Sequence, residues 1–155
     1  GHVSVAKGAA ALLESLQALD DVPLRLTFVG AESMQVPERF HDDPRVRWTG
    51  PVSRSAVMQH YRDNDVLVFA SLSDGFGMAQ VEARAWRLPI VASTSCGRVV
   101  DHEVNGLLLD EVSSGAIAAA LRRLVSNPRL LDSFARPESS IGSDLASALA
   151  SLEPS

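Results

Sequence analysis

Cysteine and lysine each occur once in this 155-residue chain, as Cys96 and Lys7. A lone thiol forms no internal disulfide and no cysteine-based zinc site, so a reducing cytoplasm is the expected setting. Positive charge is also short: 14 Lys and Arg stand against 19 Asp and Glu, for a net charge of −5. That balance excludes the concentrated cationic face that a duplex nucleic-acid binder needs. No apolar run approaches the roughly 20 residues that cross a bilayer as a helix. Gly1-His2-Val3-Ser4 lacks the basic-then-apolar pattern of a secretory leader. Neither Gly-x-Gly-x-x-Gly nor Gly-x-x-x-x-Gly-Lys-Ser/Thr occurs, which removes the main support for a dinucleotide oxidoreductase or a P-loop enzyme. Gly-x-Ser-x-Gly is missing too, and with it the nucleophile turn of a hydrolase on a similar sheet.

What is present reads as one globular domain, with 46% hydrophobic and 21% charged residues. Ala9, Leu12, Leu13, Leu16 and Leu19 recur at helical spacing, so a helix is predicted over 6–19. Leu24 to Gly30 reads as a strand turning on glycine, and 31–44 as a polar stretch with an uncertain helical middle. Val46 to Gly50 forms a second short strand, and Ser53 caps a helix to about Asp63 that carries Val57, His60 and Tyr61 on one side. Asp65 to Ser71 is nearly continuous in apolar residues, the habit of a strand covered on both faces of a parallel sheet. A loop over 72–77 then leads to a helix from Met78 to about Arg87. Strands at 89–93 and 106–109 and helices at 113–125 and 128–134 complete the pattern. Alternating strands and helices with short connections predict a Rossmann-like, doubly wound parallel α/β sheet. Ligands in such sheets bind at the carboxyl ends of the strands, so the loops after Gly30, Gly50, Ser71 and Ser93 carry the interest.

The loop Ser71-Leu72-Ser73-Asp74-Gly75-Phe76-Gly77 ahead of Met78-Ala79-Gln80-Val81-Glu82 stands out. Two glycines permit a tight turn and a close approach of ligand to backbone. The start of the following helix offers unpaired N–H groups and a partial positive charge, which favour phosphate. Met78 and Glu82, four apart, share a helix face, so Asp74 and Glu82 would bracket an anion cradle. Carboxylates beside phosphate make sense when they accept hydrogen bonds from hydroxyls, which sugars and riboses supply. The plainer alternative is an ordinary loop, with Asp74 aiding a helix cap and Glu82 as a solvated charge. Thirteen of the fourteen basic residues are Arg, which hints at a use for a compact ammonium at Lys7.

At these residues the chain resembles the C-terminal, donor-binding domain of GT-B glycosyltransferases, and most closely the large retaining group called GT4 (glycosyl transferases group 1). The resemblance rests on Asp65 to Gly77, on Glu82-Ala83 and on Leu88 to Ser93. It also rests on Lys7-Gly8, Phe28-Val29-Gly30, Trp48-Thr49-Gly50-Pro51-Val52 and Asn105 to Leu109. Seven residues separate Asp74 from Glu82, the spacing of the two acids that mark the family. The resemblance implies a nucleotide-diphosphate sugar, such as a UDP-, GDP- or ADP-sugar, as donor, and no metal requirement. It implies that Lys7 neutralises the diphosphate and that the backbone at Gly75, Phe76, Gly77, Met78 and Ala79 holds the sugar and phosphates. Asp74 would accept from hydroxyls of the transferred sugar, Glu82 from those of the ribose, and the backbone around Val52 would meet the base.

It further implies a hydrophobic strand ahead of Lys7-Gly8 in the middle of the sheet. Residues 1–137 are therefore expected to form the nucleotide-sugar-binding domain without its first strand, and 138–155 a tail with a marginal helix at 143–152. An N-terminal acceptor-binding half is implied as a partner, through which any peripheral membrane contact would run, and no turnover is expected from this chain alone. The chain departs from the family pattern at His2, where Arg is usual, and at Asp74, where Glu is commoner. Its loop over 95–101 is short and lacks the usual Pro-Glu pair. These departures favour the alternative of a non-catalytic nucleotide-binding or partner-binding module. Other candidates read more simply: Asp63-Asn64-Asp65 as a charged helix exit, His41-Asp42-Asp43 as a solvated turn, His60 as a packed or surface histidine, His102 as an exposed loop charge and Cys96 as a quiet small residue.

Overall fold

The computed structural model describes residues 2–135. The chain runs β1 (His2–Val3), α1 (Ala9–Ser15), β2 (Leu26–Phe28), β3 (Ala31–Glu32), α2 (Glu38–His41), β4 (Val46–Trp48) and α3 (Arg54–Asp63). It continues through β5 (Leu67–Phe69), α4 (Met78–Ala85), β6 (Ile90–Ser93), β7 (Gly106–Leu109), α5 (Ser114–Ser126) and α6 (Pro128–Phe134). Each strand ladder is parallel: β1 with β3, β2 with β4, and β5–β6–β7 in that order. Among the described residues no ladder joins these three groups. The helix expected at 143–152 lies outside the described residues.

The side-chain alternation of β6 explains the layering. Val91 packs into a core with Leu13, Leu16, Phe28, Leu107, Ile117 and Phe134, built largely from α1, α5 and α6. Ile90 and Ala92, pointing the other way, pack with Ala83 of α4 and with Leu67, Phe69 and Tyr61. Both faces of β6 are thus covered and its four residues are all buried, as the doubly wound reading of the sequence requires.

Local signals set most boundaries. The Ser53 hydroxyl accepts from the Ala56 amide at 3.3 Å and starts α3, and Ser113 does the same for Ala116 at 3.1 Å at the head of α5. The helix predicted over 6–19 is broken: a 3₁₀ turn at Val5–Lys7 ends on Gly8, α1 follows, and a second 3₁₀ turn spans Leu16–Leu19. Gly8 sits in the left-handed region at φ 74°, which turns the chain while leaving Leu12, Leu13, Leu16 and Leu19 on the buried side. The strand predicted over 24–30 forms a ladder at Leu26–Phe28, and Phe28 stacks on Trp48, the residue opposite it, with ring centroids 4.5 Å apart.

Two arginines hold separate elements together at the surface. Arg45 donates to both carboxylate oxygens of Asp43, to Asp20 and to the carbonyl of Leu16, tying the edge of β4 to the turn after α1. Asp43 is therefore the partner of an arginine, which holds its carboxyl below the usual carboxylate range, ahead of the opposing effect of burial. Arg122 of α5 reaches both oxygens of Asp21 and the carbonyl of Ala18. Hydrogen bonding from Arg122, then from its own backbone, lowers the Asp21 carboxyl from 3.8 to about 2. A carboxyl lowered on folding contributes stability in full above 3.8, and that contribution fades as pH falls through about 2. Arg122→Ala is therefore expected to lower the melting temperature at neutral pH, by a margin that narrows at the acid end to what the Ala18 contact contributes. Melts that differ by the same amount down to the lowest pH would contradict this.

Candidate functional site

The carboxyl end of β5 carries the site. Beyond Phe69 the chain continues through Ala70 and Ser71, and the 3₁₀ turn at Val5–Lys7 is laid against this stretch. The Leu72 amide donates to the Ala6 carbonyl at 2.9 Å, and the Ser71 hydroxyl reaches the same oxygen at 3.3 Å. This clamp sets Lys7 at the loop mouth. Its ammonium pairs with the Asp74 carboxylate across 67 positions of sequence and lies 5.9 Å from the centre of the Phe69 ring.

Gly77 makes the corner into α4 at φ 73°, a conformation most side chains resist. A Cβ there would also crowd the amide of Gln80 at 2.6 Å and the edge of Phe69 at 3.1 Å. No side chain caps α4, so Met78 and Ala79 in its first turn have no side-chain acceptor for their amides. The mouth is apolar at its rim: Leu72, Phe76 and Met78 are 50%, 61% and 55% exposed.

A second loop is bound to the first. The Asp74 amide donates to the Ser95 carbonyl at 3.4 Å, and the Ser93 hydroxyl donates to the Ser71 carbonyl. Gln80, fully buried at the start of α4, sends its amide nitrogen to the Cys96 sulfur at 3.2 Å and the Gly97 carbonyl at 3.4 Å. Cys96 donates in turn to the Ser93 carbonyl at 3.3 Å, so the thiol is part of the loop's scaffold. The shortened loop over 95–101 thus rests on the glycine loop. Sequence spacing gave no sign of Gln80, because its partners come from a loop 16 and 17 residues away.

Glu82 takes a different partner. Its carboxylate accepts from the Tyr61 hydroxyl at 2.9 Å, and Tyr61 comes from the end of α3. Burial of the ring, and then the Glu82 charge, push the phenol pKa well up, so Tyr61 stays a donor at any ordinary pH. Phe69 links the two halves of the site, because it touches the Lys7 side and packs in the same apolar cluster as Tyr61 and Ala83. Val52 sits half-buried on the separate loop after β4, where Gly50 accepts from the Gly30 amide at 3.0 Å. The structure therefore brings Lys7 and Asp74 into contact at the loop that runs on through Gly75 to Ala79, pairs Glu82 with Tyr61, and leaves Val52 on another loop. His2 has Nδ1 at 2.9 Å from the Ser33 hydroxyl. His102 uses Nδ1 to accept from the Leu108 amide at 2.9 Å on the outer edge of β7. Among the described residues no cluster of His, Cys, Asp and Glu has the makings of a metal site.

An open depression of about 420 Å³ lies elsewhere, lined by Tyr61, Asn64, Asp65, Trp86, Pro89 and Leu131. It faces the amino ends of β5 and β6, the end of a parallel sheet where ligands do not bind. Of the sequence-predicted site residues, none lines it. The ion pair, the uncapped helix start and the exposed Leu72, Phe76 and Met78 coincide instead at the glycine loop.

A cation, an acid and a glycine corner thus meet where the carboxyl end of β5 leads into a helix of a parallel α/β fold. The sequence pattern of the family described as Glycosyl transferases group 1 matches residues 1–127. The chain belongs to that family, and its fold is that of the C-terminal domain of a GT-B glycosyltransferase. Among relatives, it is 30% identical over 142 residues to a D-inositol 3-phosphate glycosyltransferase of Geodermatophilus obscurus, covering 84% of this chain and 31% of that protein. It is 34% identical over 130 residues to the protein so named in Pseudarthrobacter chlorophenolicus, covering 77% and 30%. The chain thus spans about a third of the length of these relatives. Among solved structures it superposes on the C-terminal domain of LpcC, a glycosyl transferase group 1 family protein from Francisella tularensis. The TM-score is 0.79 at 22% identity, over 99% of this chain and 84% of that one. Anabaena HepE, solved in complex with UDP, gives 0.76 at 23% identity over 98% of this chain and 47% of that one.

Proposed function

We propose that the chain is the donor-binding half of a retaining, GT4-type glycosyltransferase that moves a sugar from a nucleoside diphosphate to an acceptor hydroxyl. The observation that carries the reading is the Lys7–Asp74 contact at the mouth of the uncapped helix α4. An exposed ion pair of this kind holds only about 0–1 kcal/mol, so an arriving diphosphate takes Lys7 from Asp74 at little cost. Lys7 and the amides of Phe76, Gly77, Met78 and Ala79 then bear the phosphate charge, and Asp74 is released to accept from hydroxyls of the transferred sugar. Glu82 accepts from the ribose, and the backbone at Val52 meets the base. With the leaving group neutralised by an ammonium and a helix start, the reaction needs no metal ion. The departing phosphate receives the proton of the incoming hydroxyl on the same face of the sugar, so the anomeric configuration is kept and Asp74 positions rather than attacks. An N-terminal half supplies the acceptor site, and the whole acts in the cytoplasm.

Calorimetric titration of the chain with UDP, GDP and ADP in the presence of EDTA tests this reading. One nucleotide is expected to bind with micromolar affinity, and the absence of heat for all three at millimolar concentration would overturn it. A second reading, a non-catalytic module of the same descent, draws on His2, whose ring is committed to Ser33 rather than to the site. Nucleotide binding without sugar transfer, once the acceptor half is joined to the chain, is the result that would favour it.

A further inference from the structure

We propose that Tyr61 is a positioning residue that holds the Glu82 carboxylate in the orientation that receives ribose hydroxyls; this rests on the function proposed above. Glu82 lies one turn into α4, on the face it shares with Met78, and it is half-buried. A glutamate there has three rotatable bonds and would spread over several rotamers. The Tyr61 hydroxyl, at 2.9 Å from Oε2, removes that freedom, and among the described residues it is the one side chain hydrogen-bonded to this carboxylate. Tyr61 itself has little latitude, because its ring is packed with Leu67, Phe69 and Ala83 between α3 and α4.

The chemistry of the contact is one-directional. Burial and the adjacent charge keep the phenol protonated, so it donates and never competes as an acceptor. A carboxylate offers about four acceptor positions. With one of those on Oε2 taken by the tyrosine, Oε1 remains for a ligand hydroxyl. A carboxylate already fixed and already partnered by a neutral donor gives up less freedom on binding than a solvated one. Phe69 adds to the effect, since the ring that steadies Tyr61 also abuts Gly77 and Lys7, so ribose and phosphate contacts are referred to one rigid strand end.

The test compares whichever of UDP, GDP and ADP the chain binds with its 2′,3′-dideoxy analogue, by calorimetry on the whole chain. Wild type prefers the ribose form. Tyr61→Phe, which removes one oxygen and keeps the ring, is expected to lose roughly tenfold in affinity for the ribose form and nothing for the dideoxy form. A purely structural role would weaken both forms alike, and that result, or an unchanged preference, overturns the proposal. Loss of the ribose preference in Glu82→Gln with full preference in Tyr61→Phe would sink the proposal while sparing the function it rests on. If wild type binds both forms equally, the ribose role of Glu82 falls, and Tyr61's with it.

Discussion

Lys7→Ala weakens nucleoside diphosphate binding by roughly 10- to 100-fold, the effect of losing a charge-assisted hydrogen bond to phosphate. The change also exposes Asp74 as an unpaired acid beside the incoming phosphates, so repulsion adds to the loss. The companion variants separate the two contributions. Asp74→Ala frees Lys7 from its partner and is expected to bind the free diphosphate at least as well as wild type, while losing the added affinity for the sugar-bearing form. Lys7→Ala with Asp74→Ala together should recover part of the binding lost in Lys7→Ala alone. Calorimetry on the four proteins closes this cycle. Equal binding by wild type and Lys7→Ala would remove the cation from the account.

Gly8→Ala has the largest expected effect on stability. The residue sits at φ 74°, and a Cβ there would stand 2.8 Å from the carbonyl carbon of Ala70 and 2.9 Å from its Cβ, with the carbonyl oxygen closer still. The left-handed conformation costs about 1–2 kcal/mol for a residue with a side chain, and forcing atoms into a packed backbone adds about 1–3 kcal/mol. A total of roughly 2–5 kcal/mol is a large part of the ~5–15 kcal/mol that holds a domain together. Urea unfolding checks it through a midpoint that falls at unchanged slope. The same close approach is what seats Ala6 against Leu72 and Lys7 against Asp74, so nucleotide affinity should fall with stability. Gly115→Ala is the contrasting case, because a Cβ on that helical glycine meets nothing within 4 Å. It should raise stability by about 0.5–1 kcal/mol. A Gly8→Ala protein as stable as wild type would show that the turn does not need its glycine.

The layers of the fold were legible in the sequence because burial writes itself into periodicity. Ile90 to Ser93 and Gly106 to Leu109 were read at or within a residue of their observed bounds, the Ser53 cap placed α3, and the helix read over 113–125 is α5. Periodicity saw which face of 6–19 is buried and missed the break at Gly8, since a left-handed residue preserves the face while changing the path. It also ran the strand of β2 too long, and did not foresee that Ala31 and Glu32 pair with His2 and Val3, because pairing partners are chosen by tertiary contact. Lys7 and Asp74 are 67 positions apart, and nothing in their spacing joins them; family resemblance named both. Tyr61 with Glu82 and Gln80 with Cys96 escaped notice for the same reason. Each is a side-chain contact between elements that only folding brings together.

The claim that matters most is where the diphosphate sits, and backbone amide NMR reports that position directly. On titration with the nucleotide that binds, the largest shifts are expected at Gly75 to Ala79 and at Lys7. Shifts gathered instead around Asn64, Trp86 and Leu131, with the glycine loop unmoved, would place the ligand at the opposite end of the sheet and contradict the account.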